Sequence, residues 1–263
     1  PARFSEKTEG RNRCIVNMST LYIVATPIGN LEDISNRALR ILSEVDLILC
    51  EDTRTTRKLL ERYKIATPTL AYHQHSKLSK IDYIIGLLEQ GKNLALVSDA
   101  GTPGISDPGN KLIAEANKFI TLSRGEGQQI AIVPIPGPSA ITVIASICGF
   151  PMDRFVFLGF PPVKKKRQKF FEEVLDSKYP VIFYESPYRI LKTLADLRGT
   201  LPPQSEGGMS PCDMSVVVGR ELTKKFETIC RGSIEQVIEQ IKKDAPNGKP
   251  RGEFAVALNT KER

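Results

Sequence analysis

The sequence predicts an α/β protein assembled from two α/β halves. Three observations carry that expectation. Short β-rich runs alternate with helix-length periodic stretches along the whole chain. Most strand-like runs are continuously apolar, as in sheets covered on both faces, which argues for largely parallel sheets. The densest proline punctuation, "PIPGPSA" at 134–140, falls near the middle and separates two stretches that each have the size of a modest domain.

The first half reads as strands at 21–25, 45–51, 69–73, 93–99 and 130–135, with helices at about 34–43, 54–63, 77–90 and 108–118. Gly91 suits the C-cap of the third of these helices. After the proline cluster, Pro138 and Ser139 are well suited to open a helix over about 138–149. Strands then follow at 155–160, 180–186, 214–222 and 253–258, separated by helices at about 164–177, 187–198 and 233–243. Two polar or Pro/Gly-rich segments, 121–129 and 199–213, read as an insertion and a long loop. The expected organisation is an N-terminal extension over 1–19, a first α/β domain over 20–135 and a second over 136–263.

The bulk numbers narrow the class. A charged fraction of 25% with 41% hydrophobic residues is that of an ordinary globular chain, so neither disorder nor a fibrous repeat is indicated. The net charge of +7 permits a polyanionic partner without requiring one. Five widely spaced cysteines without a Cys-x-x-Cys fit a reducing compartment better than a disulfide framework. The longest apolar stretch, 140–150, is too short to span a bilayer, and the first residues lack the apolar core of a signal peptide. Met18 precedes the first strand, so residues 1–17 read either as lying before the natural start or as a disordered extension. The expectation is a cytoplasmic protein without a membrane segment.

Several motifs resolve into structure. "GLLEQGKN" at 86–93 approximates a phosphate-binding loop. Asn93 stands where a hydroxyl is needed, however, and the order is helix–turn–strand rather than strand–loop–helix. No G-x-G-x-x-G follows a strand. His73 and His75 could be two ligands on one side of a strand. No cysteine or carboxylate stands at ligand spacing, so a strand running into a polar loop explains them better, and no metal is expected. "KKKRQK" at 164–169 is either a solvated helix face or an anion-binding patch. In the second case Lys164, Lys165, Lys166 and Arg167 would meet RNA phosphates.

The informative motifs share a position. "TPIGNLEDIS" (26–35), "CEDTRTTRK" (50–58), "SDAGTPGISDPG" (98–109), "PIPGPSA", "YESPYR" (184–189) and "GRELTK" (219–224) each stand at the C-terminal end of an expected strand. Open α/β sheets bind ligands there. Glycines and prolines in such number imply that main chain, rather than side chain, is brought against a ligand. An adenosine or an amino-acid carboxylate suits that grip, with helix N-termini available to the carboxylate.

Taken in order, these motifs resemble the tetrapyrrole-methylase superfamily of S-adenosylmethionine-dependent methyltransferases. More narrowly, with "DRFVFLGF", "IFYESPYR" and "GEFAVAL" added, the chain over about 20–259 resembles the ribosomal RNA small subunit methyltransferase I family, cytidine 2′-O-ribose methyltransferases. The resemblance implies two α/β domains with the cofactor in the cleft between them, usually a homodimer, and small-subunit (16S) ribosomal RNA as partner. It also implies that Pro27, Asp99, Ala100, Thr102, Ser139 and Ala140 line the S-adenosyl-L-methionine pocket, completed by Tyr184, Leu222 and Phe254.

Transfer to a ribose hydroxyl is an in-line displacement in which alignment matters most. A base would add about 10²–10⁴-fold, because the hydroxyl is a poor acid. The strand-end carboxylates Asp52, Asp99, Glu185 and Glu221 are the candidates, with Asp52 or Glu185 expected to face the ribose. Arg54, Arg220 and Lys224 would then hold flanking phosphates. "EDTR" and "REL" are equally readable as domain-interface ion pairs. Two further readings stay open, a methyltransferase acting on a small molecule or protein, and a non-catalytic RNA-binding module.

Overall fold

In the computed structural model, residues 19–73, 76–107, 109–122, 130–201 and 214–259 are described. Residues 1–18 of the expected extension, His75, residues 123–129 of the expected insertion and residues 202–213 of the long loop lie outside them.

The first unit is built on β1 (Ser19–Val24), β2 (Leu47–Cys50), β3 (Thr69–Ala71), β4 (Leu94–Leu96) and β5 (Ile130–Ile135). They form one sheet in the order β3-β2-β4-β1-β5, parallel throughout. The intervening helices are α1 (Asn36–Glu44), α2 (Thr53–Arg62), α3 (Leu78–Glu89) and α4 (Asn110–Leu122). Alternation along the strands sorts the core. Leu49, Leu94 and Leu96 pack with Ile84, Leu88 and Leu112 of α3 and α4, whereas Ile48, Ala95 and Val97 pack with Ala38, Ile41 and Leu59 of α1 and α2. The central strands are therefore buried on both faces, which is why the runs read as continuously apolar.

The second unit contains α5 (Ala140–Ile147), β6 (Val156–Phe157), α6 (Arg167–Asp176), β7 (Val181–Glu185) and α7 (Ile190–Thr200), then β8 (Ser215–Arg220), β9 (Thr228–Gly232), α8 (Ile234–Lys243) and β10 (Phe254–Asn259). The strand order is β6-β7-β10-β8-β9. Here the expectation of a largely parallel sheet fails. Only β6 and β7 run parallel, and β7–β10, β10–β8 and β8–β9 are antiparallel. The reason is local. β8 returns directly through residues 221–227 into β9, and a tight return can join only antiparallel neighbours. β9 went unforeseen because it is an edge strand with a single buried residue, Cys230, and carries almost no apolar pattern.

One face of this sheet is covered by α6, α7 and α8 through Phe171, Leu194 and Val237. The other receives α5 through Ile141 and Ile144, together with Ile28 from the first unit. That face is where the two units meet.

Candidate active site

The glycine- and proline-rich loop after β4 is held by an isolated two-residue bridge to the end of β1. The Thr26 N–H donates to the Gly101 carbonyl at 2.9 Å and the Gly101 N–H to the Thr26 carbonyl at 3.0 Å. The Thr26 hydroxyl donates to the Ser98 carbonyl, and the Ser98 hydroxyl stands within reach of the Ala100 and Gly101 carbonyls. Gly101 sits at φ +81°, where a Cβ would be strained and would press against the Ile28 side chain at 3.4 Å. Thr102 donates to the Pro138 carbonyl at 3.3 Å, which joins this loop to the start of α5. The special residues thus clamp three strand ends and leave backbone facing the second unit.

Between the units lies a cavity of about 450 Å³, within the size range of small-molecule sites. Asp99, Ala100, Thr102, Ser139 and Ala140 line it from one side; Tyr184, Leu222 and Phe254 line it from the other. Of the residues expected around a cofactor, only Pro27 is outside the lining. It is buried, and its neighbour Ile28 takes the wall position. Sequence reasoning did not anticipate Ser106, Asp107, Phe160 and Glu253, which also face the cavity. The "SDPG" that carries Asp107 was the available signal.

The carboxylates expected to be catalytic differ in placement, Glu185 lining the cavity and Asp52 standing outside the lining. Asp52 is the N-cap of α2, outside the cavity lining, with its carboxylate accepting from the Arg54 backbone N–H at 2.8 Å and from the Arg54 guanidinium at 2.6 Å. Those bonds hold it down to about 2. Its backbone N–H donates to Asp99 Oδ1 at 3.0 Å, which holds the Asp99 carboxylate at the cavity wall. Glu185 does touch the cavity but is 1% exposed. Its oxygens accept from the Ser186 N–H at 2.7 Å and the Thr193 hydroxyl at 2.6 Å, and pair with Arg189 at 2.7 Å. Both oxygens of that carboxylate are thus engaged by protein donors. Glu221 is likewise paired with Lys224 at 2.9 Å, and Lys224 also with Glu253. Lys224 lines the cavity as a neutralised cation.

The basic set divides. Lys164, Lys165 and Lys166 are exposed ahead of α6. Arg167 is not part of that face: its side chain is 11% exposed, donates to Asp196 at 2.9 Å, to Thr193 at 2.8 Å and to the Pro162 carbonyl, and lies over the Phe171 ring. Arg220 lies outside the cavity lining and donates to the Arg251 carbonyl, and Arg54 extends into solvent with 86% of its side chain exposed.

The electrostatics of the cavity are acidic on one wall. Asp107 is pushed up to about 6 by burial, with the charges of Glu51, Asp99 and Glu253 raising it further and a bond from Ser98 opposing them. Tyr184 opposite is pushed up to about 12, chiefly by burial and secondarily by Asp107. It therefore stays a neutral hydroxyl, stacked edge-on to Phe157 at 5.0 Å and tilted against Phe160 at 5.5 Å. Among the described residues no group of three or more metal-ligating side chains is gathered, and no helix is long and apolar enough to cross a membrane.

Comparison with known proteins places these features in company. The profile of the Tetrapyrrole (Corrin/Porphyrin) Methylases matches residues 20–238. A protein named ribosomal RNA small subunit methyltransferase I from Thermotoga maritima is 41% identical over 93% of this chain and 100% of its own. The protein of that name from Synechocystis is 41% identical over 92% of this chain and 79% of its own. Among solved structures, uroporphyrin-III-C-methyltransferase from Thermus thermophilus superposes with a TM-score of 0.55 at 16% identity, covering 91% of this chain and 94% of its own. The methyltransferase CobJ superposes with a TM-score of 0.60 at 15% identity, covering 91% and 93%. At such identities the last two are alike in fold alone.

Proposed function

The chain belongs to the tetrapyrrole methylase family, in its ribosomal RNA small subunit methyltransferase I branch, and from that premise we propose that this methyltransferase moves a methyl group from S-adenosyl-L-methionine to the 2′-oxygen of a cytidine ribose in the decoding region of 16S ribosomal RNA. The observation that carries the reading is the cavity. Its walls come from both units and combine apolar faces for a purine with polar groups for a ribose and an amino acid.

The donor set suits the cofactor. Ile28, Leu222 and Phe254 offer apolar contact, Asp99 an acceptor for a hydroxyl or ammonium, and Thr102 and Ser139 hydroxyls. Ser139 is the N-cap of α5, and its hydroxyl makes no capping bond to that helix. A carboxylate placed there would meet the positive end of the helix. When bound, the cofactor supplies a methyl carbon already activated by a positive sulfur. The protein's task is then to align an incoming oxygen with it and to exclude water. The bridge at Thr26 and Gly101 and the anchoring of Asp99 by the Asp52 N–H preset that alignment.

For the polyanionic partner, Lys164, Lys165 and Lys166 supply free charge, whereas Arg54, Lys224 and Arg220 act from positions already tied to protein acceptors. A substrate inside the small ribosomal subunit implies action in the cytoplasm. A homodimer is part of the proposal, tested by sedimentation.

The test is methyl transfer from labelled S-adenosylmethionine to unmodified small subunits and to naked 16S RNA, with the modified nucleotide mapped. A single ribose-methylated cytidine is the expected result. Binding of the cofactor without transfer to either RNA form would refute the substrate assignment.

A further inference from the structure

The cavity holds a carboxyl group for which the family resemblance supplied no role. Asp107 lies in the loop between β4 and α4, directly after Ser106, whose φ of +61° turns the chain toward the second unit. The strand-end carboxylates first considered as bases each have a dedicated partner. Asp52 is taken by Arg54, Glu185 by Arg189 and Thr193, and Glu221 by Lys224, while Asp99 accepts the Asp52 backbone N–H. Glu253, on the cavity wall, is also held by Lys224. Asp107 has none of these. The Ser98 hydroxyl nearby lowers its proton affinity, and among the described residues no ion pair joins Asp107 to a cation, Lys224 of the same cavity being paired with Glu221 and Glu253.

We propose that the Asp107 carboxylate accepts the proton of the hydroxyl group that receives the methyl group, an inference that rests on reading the cavity as a ribose-methylation site. The hydroxyl proton passes to an Asp107 oxygen as the hydroxyl oxygen bonds the methyl carbon. The electron pair of the broken carbon–sulfur bond stays on sulfur, leaving a neutral thioether, and the proton then leaves Asp107 for solvent.

Three features suit Asp107 to this role. It faces a cavity built from both units, so a substrate entering the cleft can reach it. Among the described residues it forms no ion pair, the Lys224 ammonium of the same cavity being held by Glu221 and Glu253. Finally, burial raises its proton affinity against the opposing Ser98 hydroxyl, and the acidic Glu51 after β2, Asp99 after β4 and Glu253 before β10 raise it further, while Tyr184 on β7 remains neutral. A carboxyl titrating near 6 is ionised at neutral pH yet more basic than one in water, which favours general-base work.

The experiment compares wild type with Asp107→Asn in two readouts: calorimetric binding of S-adenosylhomocysteine, and single-turnover methyl transfer to small subunits between pH 5 and 9. Product affinity within about twofold of wild type, with transfer slowed on the order of 10²–10³-fold, is expected. The wild-type rate should rise through a limb near pH 6 that the variant lacks. Equal rates, or a retained limb, overturn the inference and leave the methyltransferase reading intact. Loss of product binding by more than about tenfold also overturns it, because Asp107 would then be a cofactor ligand. A wild-type protein that transfers nothing to ribosomal RNA brings down the reading and this inference together. As a second variant, Asp107→Ala should be partly restored by added formate. A rate that formate leaves at its depleted level counts against a proton acceptor.

Discussion

Glu185 shows how a residue's neighbours decide its chemistry. On paper it is an acidic side chain at a strand end; in the fold its carboxylate is buried against Arg189, Thr193 and the Ser186 amide. Removing the cation leaves that charge uncompensated, which for buried pairs costs about 3–5 kcal/mol. Because Arg189 keeps partial contact with solvent, Arg189→Ala should lower unfolding stability by about 3 kcal/mol, the bottom of that range, measured in urea. Asp107 makes the opposite kind of prediction. Its folded-state value, about 6, lies above the ordinary 3.8, so the folded protein holds this proton in an interval where the unfolded chain has lost it. Its contribution to stability therefore falls as pH rises from about 4 through 6. In Asp107→Asn that decline should vanish, so that the variant gains on wild type across the same interval when urea midpoints are compared. At this scale the Gly/Pro-rich loops at strand ends were legible from local chemistry, whereas the individual cavity residues came from the family resemblance. The pairing of Arg167 with Asp196 and of Lys224 with Glu253 was not legible, because those partners lie in segments that only the fold brings near, and the local engagement of Glu185 depends on side-chain directions at the turn from β7 into α7.

The stretch "KKKRQK" is divided at the point where α6 begins. Lys166 adopts φ +66° just ahead of the helix, and the Arg167 side chain turns inward to Asp196 and Phe171. Lys164, Lys165 and Lys166 are exposed ahead of the helix, as Gln168 and Lys169 are within it. Replacing the three lysines ahead of the helix by alanine should leave thermal stability nearly unchanged. It should also reduce the dependence of RNA affinity on salt, by up to about 0.7–0.9 in log–log slope for each phosphate that the lysines had neutralised. Titrations at several salt concentrations check this; an unchanged slope would mark the lysines as bystanders. The loop after β4 answers to a different test. Gly101→Ala imposes a left-handed backbone on a residue with a Cβ, costing on the order of 1–2 kcal/mol. The penalty should appear as weaker S-adenosylhomocysteine binding as well as a lower melting temperature. Nine of the ten described strands announced themselves as apolar runs; β9 did not, since an edge strand needs little apolar surface.

Across the whole molecule, the parallel half was readable because helices and strands alternate in sequence as they do in space. The antiparallel half was misjudged because strand direction depends on connections, and residues 202–213 gave no pattern from which to infer one. The cavity draws walls from both halves, so a ligand filling it stabilises neither alone. Product at a hundredfold excess over its dissociation constant should stabilise the folded state by about 2.7 kcal/mol. Calorimetric melting should then show both units shifting upward together; a ligand-induced shift confined to one transition would mean that the cleft is not shared.

The place of β10 has a consequence in time. Phe254–Asn259 comes last among the described strands and stands at the centre of its sheet, flanked by β7 and β8. As the polypeptide emerges N-terminus first, the parallel unit can assemble early, but the second sheet has a gap at its middle until this strand has been made. Phe254 and Ala255, which close one wall of the cavity, arrive with it. The nascent chain thus has no finished cleft while that strand is still being synthesised, and binding to that cleft begins only once the strand has joined its sheet.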